Sequence, residues 1–153
     1  MKKLIFAVAV LFTAGLSSVS AQELKLGAHA GVPVGDVSDV SDFAFGADLA
    51  YLWNVAGILQ AGPKIGYHQY TGDFDAGFLP VAAEGRVGLG EAVFVGLDLG
   101  YGISLKDGVD GGLYYAPKLG FGFMGVKIIG SYTGISLDGG EASSVNAGIE
   151  ISL

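Results

Sequence analysis

From Glu23 onward the chain alternates apolar residues with small or polar ones, in eight segments separated by Gly- and Asp-rich turns. Successive side chains of a β-strand point to opposite faces, so each segment predicts a strand with one apolar and one polar face. The first is about Glu23–Pro33, with Leu24, Leu26, Ala28, Ala30 and Val32 opposite Lys25, Gly27, His29 and Gly31. The second, Asp42–Trp53, sets Phe43, Phe45, Leu49, Tyr51 and Trp53 against Ala44, Gly46, Asp48 and Ala50. The third, Ile58–Tyr70, sets Leu59, Ile65 and Tyr67 against Lys64, Gly66, His68 and Tyr70. In the fourth, Phe78–Leu89, the polar face carries Glu84 and Arg86.

The fifth, Ala92–Lys106, is the clearest: Val93, Val95, Leu97, Leu99, Tyr101 and Ile103 alternate with Phe94, Gly96, Asp98, Gly100, Gly102 and Ser104. The sixth, Gly112–Met124, opposes Leu113, Tyr115, Leu119, Phe121 and Phe123 to Tyr114, Lys118, Gly120 and Gly122. The seventh, Val126–Ser136, opposes Val126, Ile128 and Tyr132 to Lys127, Ser131 and Thr133. Its phase weakens after Tyr132, which predicts a bulge there. The eighth, Ser144–Leu153, opposes Val145, Ile149 and Ile151 to Asn146, Gly148 and Glu150. Pro63 and Pro117 interrupt two of these runs. A proline donates no ladder hydrogen bond, so a local bulge is expected at each.

Which face is outside depends on where the chain goes. Residues 1–21 begin with Lys2 and Lys3, continue through an apolar core from Leu4 to Leu16, and end in Ser18, Ser20 and Ala21. That is the pattern of a cleaved export signal. Its core is too short for a membrane helix of about 20 apolar residues. The expected organisation is therefore a signal peptide at 1–21 and one domain at 22–153.

The domain shows neither a helical period over ten residues nor a run of 18 apolar ones. If it enters a membrane it must do so as strands, and only a closed barrel satisfies every backbone hydrogen bond in lipid. The expected fold is all-β: an eight-stranded, antiparallel, up-and-down transmembrane β-barrel, apolar face to lipid and polar face inward.

The connections alternate in length. After strands two, four and six they are short: Asn54–Gly57, Gly90–Glu91 and Gly125. After strands one, three, five and seven they are longer (Val34–Ser41, Thr71–Gly77, Asp107–Gly111, Leu137–Ser143). These carry Asp36, Asp39, Asp73, Asp75, Asp107, Asp110, Asp138 and Glu141. Short periplasmic turns and longer outer loops are the membrane-barrel norm, which puts the acids at the cell surface and both termini in the periplasm. An acidic rim could gather divalent cations, but Asp73–Asp75 and Asp107–Asp110 lack the full calcium-loop pattern, and no specific metal site is expected.

Composition narrows the rest. Without Lys2 and Lys3, six basic side chains face fifteen acidic ones, a net charge of about −9, which argues against nucleic acid. No cysteine is present, so disulfides, thiolate metal sites and a lipidated N-terminal cysteine are excluded. Glycine, at 27 of 153 residues, follows no triplet period and is not collagenous.

Within the barrel, five bases (Lys25, Lys64, Arg86, Lys118, Lys127) accompany four acids (Asp48, Glu84, Asp98, Glu150). Buried charge is costly unless paired, so a structural network is expected. Its candidate pairs are Asp48 with Lys25 or Lys64, Glu84 or Asp98 with Arg86, and Glu150 with Lys127 or Lys25. Eight strands enclose a lumen just wide enough for side chains. His29 and His68 also point inward, yet no HExxH, GxSxG or P-loop pattern occurs. No catalytic residue, cofactor or metal is assigned, and no enzymatic activity is expected. Outward aromatics gather toward the strand ends, as they do at membrane interfaces. Trp53 and Phe123 lie at the short-turn end, with Phe43, Tyr67, Tyr101, Tyr115 and Tyr132 toward the loops.

The segments LKLGAHAG (24–31), FGADLAYLW (45–53), AGPKIGYHQY (61–70), EGRVGLG (84–90), VGLDLGYGISL (95–105), YYAPKLGFG (114–122) and VNAGIEISL (145–153) resemble the small eight-stranded outer-membrane β-barrel family of the outer membrane protein A type. The Ala21–Gln22 junction is similar to those of Bacteroidetes-like envelope proteins. Members of the family commonly end in an aromatic residue, where this chain has Leu153. The resemblance implies the cell outer membrane of a Gram-negative cell and a structural or cell-surface role. It also implies contact with membrane lipid and lipopolysaccharide, handling by the barrel assembly machinery and periplasmic chaperones, and a monomer. Two other readings of the same residues stay open: a narrow, porin-like channel for ions or small solutes, and a secreted lipocalin-like barrel with the apolar face inward around an apolar ligand.

Overall fold

Every alternating segment forms a strand in the computed structural model, which describes residues 22–90, 92–123, 125–137 and 139–153. The leader expected at residues 1–21 lies outside the described residues. The strands are β1 (Gln22–Val34), β2 (Phe43–Ala56), β3 (Leu59–Thr71), β4 (Ala76–Leu89), β5 (Val93–Ser104), β6 (Gly112–Phe123), β7 (Val126–Leu137) and β8 (Gly140–Ser152). Each pairs antiparallel with its chain neighbours, and β8 closes onto β1, so the sheet is a barrel with no free edge. The helical element among the described residues is a single 3-10 turn, Gly35–Val37, after β1.

The register settles which face is outside. Across β5, Leu97, Leu99 and Tyr101 are 43%, 50% and 43% exposed, whereas Asp98 between them is fully buried. The lipocalin-like reading needs those three residues inside, and their exposure overturns it. The apolar surface of this barrel is its outer wall, and its charges line the interior.

Three sequence expectations are corrected. No bulge occurs in β7, where Thr133 and Ile135 keep the inward phase and the β7–β8 register runs unbroken from Val126↔Ile151 to Leu137↔Gly140. The phase looked weak there because Gly134 and Ser136, not large apolar residues, take the outward positions. β7 consequently runs to Leu137 and β8 starts at Gly140, with Gly139 at φ +87°, in place of a loop from Leu137 to Ser143. The prolines cause no bulge either. Pro63 pairs with Ala83 on β4 and Pro117 with Leu97 on β5, each in unbroken register. The β-bulge lies instead between Asn54 and Ala56, just before the β2–β3 turn.

The short connections after β2, β4 and β6 share one end of the barrel with both strand termini, where Leu153 N–H donates to the Leu24 carbonyl. The connections at residues 35–42, 72–75 and 105–111 occupy the other end.

Glycine on the inner face makes room for large neighbours. Gly120 pairs with Phe94 across β5–β6, and the buried Phe94 ring occupies the space a Cβ at Gly120 would fill. Gly120→Val is therefore expected to lower stability by about 1–3 kcal/mol through overpacking. The urea midpoint of the detergent-folded barrel checks this; an unchanged midpoint would contradict the packing.

Candidate functional site

The interior is built in levels along the barrel axis. At mid-height, Glu84 on β4 and Asp98 on β5 stand directly opposite each other. Two buried carboxylates so placed repel unless cations intervene. Lys64 and Lys118 do so, one from each side. Lys64 lies across from Ala82 and Lys118 across from Gly96, small residues that leave each ammonium free to reach diagonally. Lys64 Nζ is 2.8 Å from Asp98 Oδ2, 3.5 Å from Asp48 Oδ2 and 3.7 Å from Glu84 Oε1. Lys118 Nζ is 2.9 Å from Asp98 Oδ2 and 3.0 Å from Glu84 Oε1. Asp98 Oδ1 is buried without a hydrogen-bond partner. Beside this cluster a void of about 30 Å³ has room only for water.

Arg86 joins the cluster to the far wall. Its Nε donates to Glu84 Oε2 at 2.6 Å, and Nη1 donates to Glu150 Oε1 at 2.7 Å, with Nη2 bonded to Oε2 of the same carboxylate. This is a bidentate pair from β4 to β8, across the lumen. The guanidinium also lies 4.3 Å from the centroid of the Phe94 ring.

Of the pairs the sequence suggested, the structure brings together Asp48 with Lys64 and Glu84 with Arg86. Glu150 meets neither Lys127 nor Lys25. Lys25 bonds Ser152 Oγ at 2.7 Å and pairs with Glu23, a residue of the same strand face that was not counted among the interior acids. Lys127 lies 5.3 Å from the Phe94 centroid.

Above the charges, toward the loops, His29 Nε2 and His68 Nδ1 are 2.8 Å apart. Ser144 Oγ is 3.2 Å from His68 Nε2, and Asp48 Oδ2 is 3.6 Å from His29 Nδ1. His68 is 2% exposed and Ser144 fully buried, while His29 and Asp48 at the other end of this chain of polar groups are partly buried. The chain of groups serves to satisfy buried nitrogen and oxygen atoms.

Higher still, the lumen is apolar. Val37, Tyr70, Phe78, Tyr114, Ile135 and Ala142 pack into one buried cluster, with Phe74, Val109 and Leu137 against it. Sequence reasoning missed this cap. Its signal was present in Phe78 and Ile135, large apolar residues in the inward phase near the loop ends of their strands.

On the outer wall, Phe43, Tyr67 and Tyr101 are exposed, and Trp53, Tyr115 and Tyr132 partly so. The Phe123 side chain lies outside the described residues. Tyr115 and Tyr132 stack with centroids 6.2 Å apart, and Tyr115 donates to Glu141 Oε1 at 2.5 Å. Ser143 Oγ donates to the same oxygen at 2.7 Å. Tyr67 bonds Gln69, which in turn donates to Asp75 Oδ1 at 2.6 Å. These rings thus lie on the apolar wall with their hydroxyls turned to polar groups of the acidic end. Among the described residues, no three His, Cys, Asp or Glu side chains are grouped to hold a metal ion.

No protein-family model matches the chain, and no curated relative does. Solved structures do. The outer membrane protein Ail of Yersinia pestis, determined in a phospholipid bilayer nanodisc, superposes with a TM-score of 0.62 at 16% identity, over 88% of this chain and 100% of that one. The N-terminal β-barrel domain of Pseudomonas aeruginosa OprF gives 0.58 at 11% identity, over 86% of this chain and 97% of that one. A de novo designed transmembrane β-barrel gives 0.60 at 11% identity, over 86% and 95%. The fold is that of small outer-membrane β-barrels.

Proposed function

We propose that this chain is a small barrel of the Gram-negative outer membrane with a structural or cell-surface role. The carrying observation is the inversion of its two faces. Leu99, Leu119, Phe121, Ile128 and Ile149 are each at least half exposed, while Lys64, Glu84, Arg86, Asp98 and Glu150 are buried. In water that arrangement would expose a continuous apolar wall; in a bilayer the wall meets acyl chains.

The interior residues Asp48, Lys64, Glu84, Arg86, Asp98, Lys118 and Glu150 then tie the walls together, with Lys25 and Lys127 nearer the short-turn end. The aromatics Phe43, Trp53, Tyr67, Tyr101, Tyr115, Phe123 and Tyr132 sit at the two lipid interfaces. The acidic loops face outward, toward lipopolysaccharide, and the short turns face the periplasm. The leader at residues 1–21 delivers the chain to periplasmic chaperones and the barrel assembly machinery, which insert it as a monomer. The source is a Bacteroidetes-like cell, on the strength of the Ala21–Gln22 junction. The barrel fold, shared with a protein solved in a bilayer, supports the membrane setting.

Because the natural chain has no cysteine, single cysteines report orientation cleanly. Asp107→Cys in a long connection is expected to react with a membrane-impermeant maleimide on intact cells. Ile58→Cys in a short turn, 65% exposed, is expected to react only after the outer membrane is opened. Labelling of Ile58→Cys but not Asp107→Cys on intact cells would reverse the proposed orientation. Recovery of the protein in the soluble fraction would defeat the proposal.

A further inference from the structure

The interior is not uniform in charge along its axis. The mid-height cluster holds Lys64, Lys118 and Arg86 against Asp48, Glu84, Asp98 and Glu150. The short-turn end holds Lys25 and Lys127 against Glu23. One acid is thus in excess at mid-height and one base at the mouth. Among the described interior bases, the one without an ion pair is Lys127. Its cross-strand neighbour is Glu150, but that carboxylate is taken by both terminal nitrogens of Arg86. Lys127 instead lies along Gly122, with its ammonium beside the Phe94 ring.

In front of it is a cavity of about 240 Å³ at the short-turn mouth, lined by Lys127, Arg86, Asn54, Gln60 and Phe94. No described acidic residue lines it. It therefore combines an ammonium with no ion pair among the described residues, two side-chain amides able to donate hydrogen bonds, and an aromatic ring beside that ammonium. Low-dielectric walls strengthen the attraction of such a site for an anion relative to bulk water.

We propose that this mouth binds a small free oxyanion of phosphate size. Lys127 supplies the charge and a hydrogen bond, and Asn54 and Gln60 supply further donors. The site opens to the end carrying the short turns and the chain termini, away from the acidic loops, so it draws from the compartment that end faces. It depends on the inner face of the barrel and not on the membrane reading above.

Phosphorus-31 NMR of inorganic phosphate tests it, with the barrel extracted into a phosphate-free maltoside detergent. The resonance is expected to broaden and saturate with a Kd of about a millimolar. Lys127→Gln is expected to weaken binding at least tenfold, Lys127→Arg to retain it, and Lys106→Gln, in an exposed loop, to leave it unchanged. Should Lys127→Gln fail to fold, Ala92→Asp, which adds a carboxylate to the cavity wall, is expected to weaken binding as strongly. Absence of saturable broadening in the natural protein would overturn the proposal. So would undiminished binding by both mouth variants, or binding to phosphatidylglycerol vesicles with none to inorganic phosphate.

Discussion

Arg86→Met is expected to lower stability by about 3–5 kcal/mol, the largest loss of any single interior substitution. Arg86 satisfies both oxygens of Glu150 and one of Glu84. Glu84 would keep Lys118 and, more distantly, Lys64. Glu150, 3% exposed, has no other ion-pair partner among the described residues and would be left charged inside the barrel. The cost is mainly that of the orphaned carboxylate, not the intrinsic worth of the pair. Arg86→Met combined with Glu150→Gln should therefore recover a large part of the loss, since no unpaired charge remains at β8. Urea unfolding in detergent or bilayers, followed by Trp53 fluorescence, reads both. Equal losses in the single and double variants would show that the β4–β8 bridge matters through packing alone.

The second large effect concerns the opposite face. Leu99 lies in the middle of β5 and is 50% exposed on the outer wall. Leu99→Lys places a charge where the proposed bilayer is driest, and is expected to cost about 2–4 kcal/mol. Leu105→Lys, as exposed but just beyond the end of β5 toward the loops, is expected to cost no more than about 1 kcal/mol. The depth dependence distinguishes a membrane from water. On a soluble barrel both substitutions would be nearly neutral or stabilising, because each would replace an exposed leucine.

The strands and their facing were legible because the side-chain period of a strand is two, and the alternation in β5 or β8 admits one phase. What periodicity could not supply is the position of a side chain around the barrel. Arg86 and Glu150 were both recognisably inward, but β4 and β8 face each other across a lumen narrow enough for an arginine to span. Pairing by neighbouring strands therefore gave Glu150 the wrong partners. The apolar cap was missed for a related reason. Phe78 and Ile135 depart from the polar-inward rule only near the loop end, where the interior no longer holds charges.

The β7–β8 turn was misplaced because Gly139, Gly140, Glu141 and Ser143 read as loop residues, and the phase of β7 looked weak at Gly134. In the barrel Gly134 is a strand position whose missing side chain makes room for the Tyr115 ring. Pro63 and Pro117 stay in register because each strand position faces two neighbours. The missing N–H costs a bond to one neighbour while pairing with the other continues.

The proposed setting puts the apolar wall against lipid and encloses the charged face. The most direct test is a nitroxide scan of single cysteines at residues 95–103 of β5, in bilayers, measuring collision with molecular oxygen and with a water-soluble nickel reagent. Oxygen accessibility is predicted to alternate with a period of two, with maxima at 95, 97, 99 and 101 and the nickel reagent excluded there. Maxima for the nickel reagent at those same positions would place the wall in water and contradict the account.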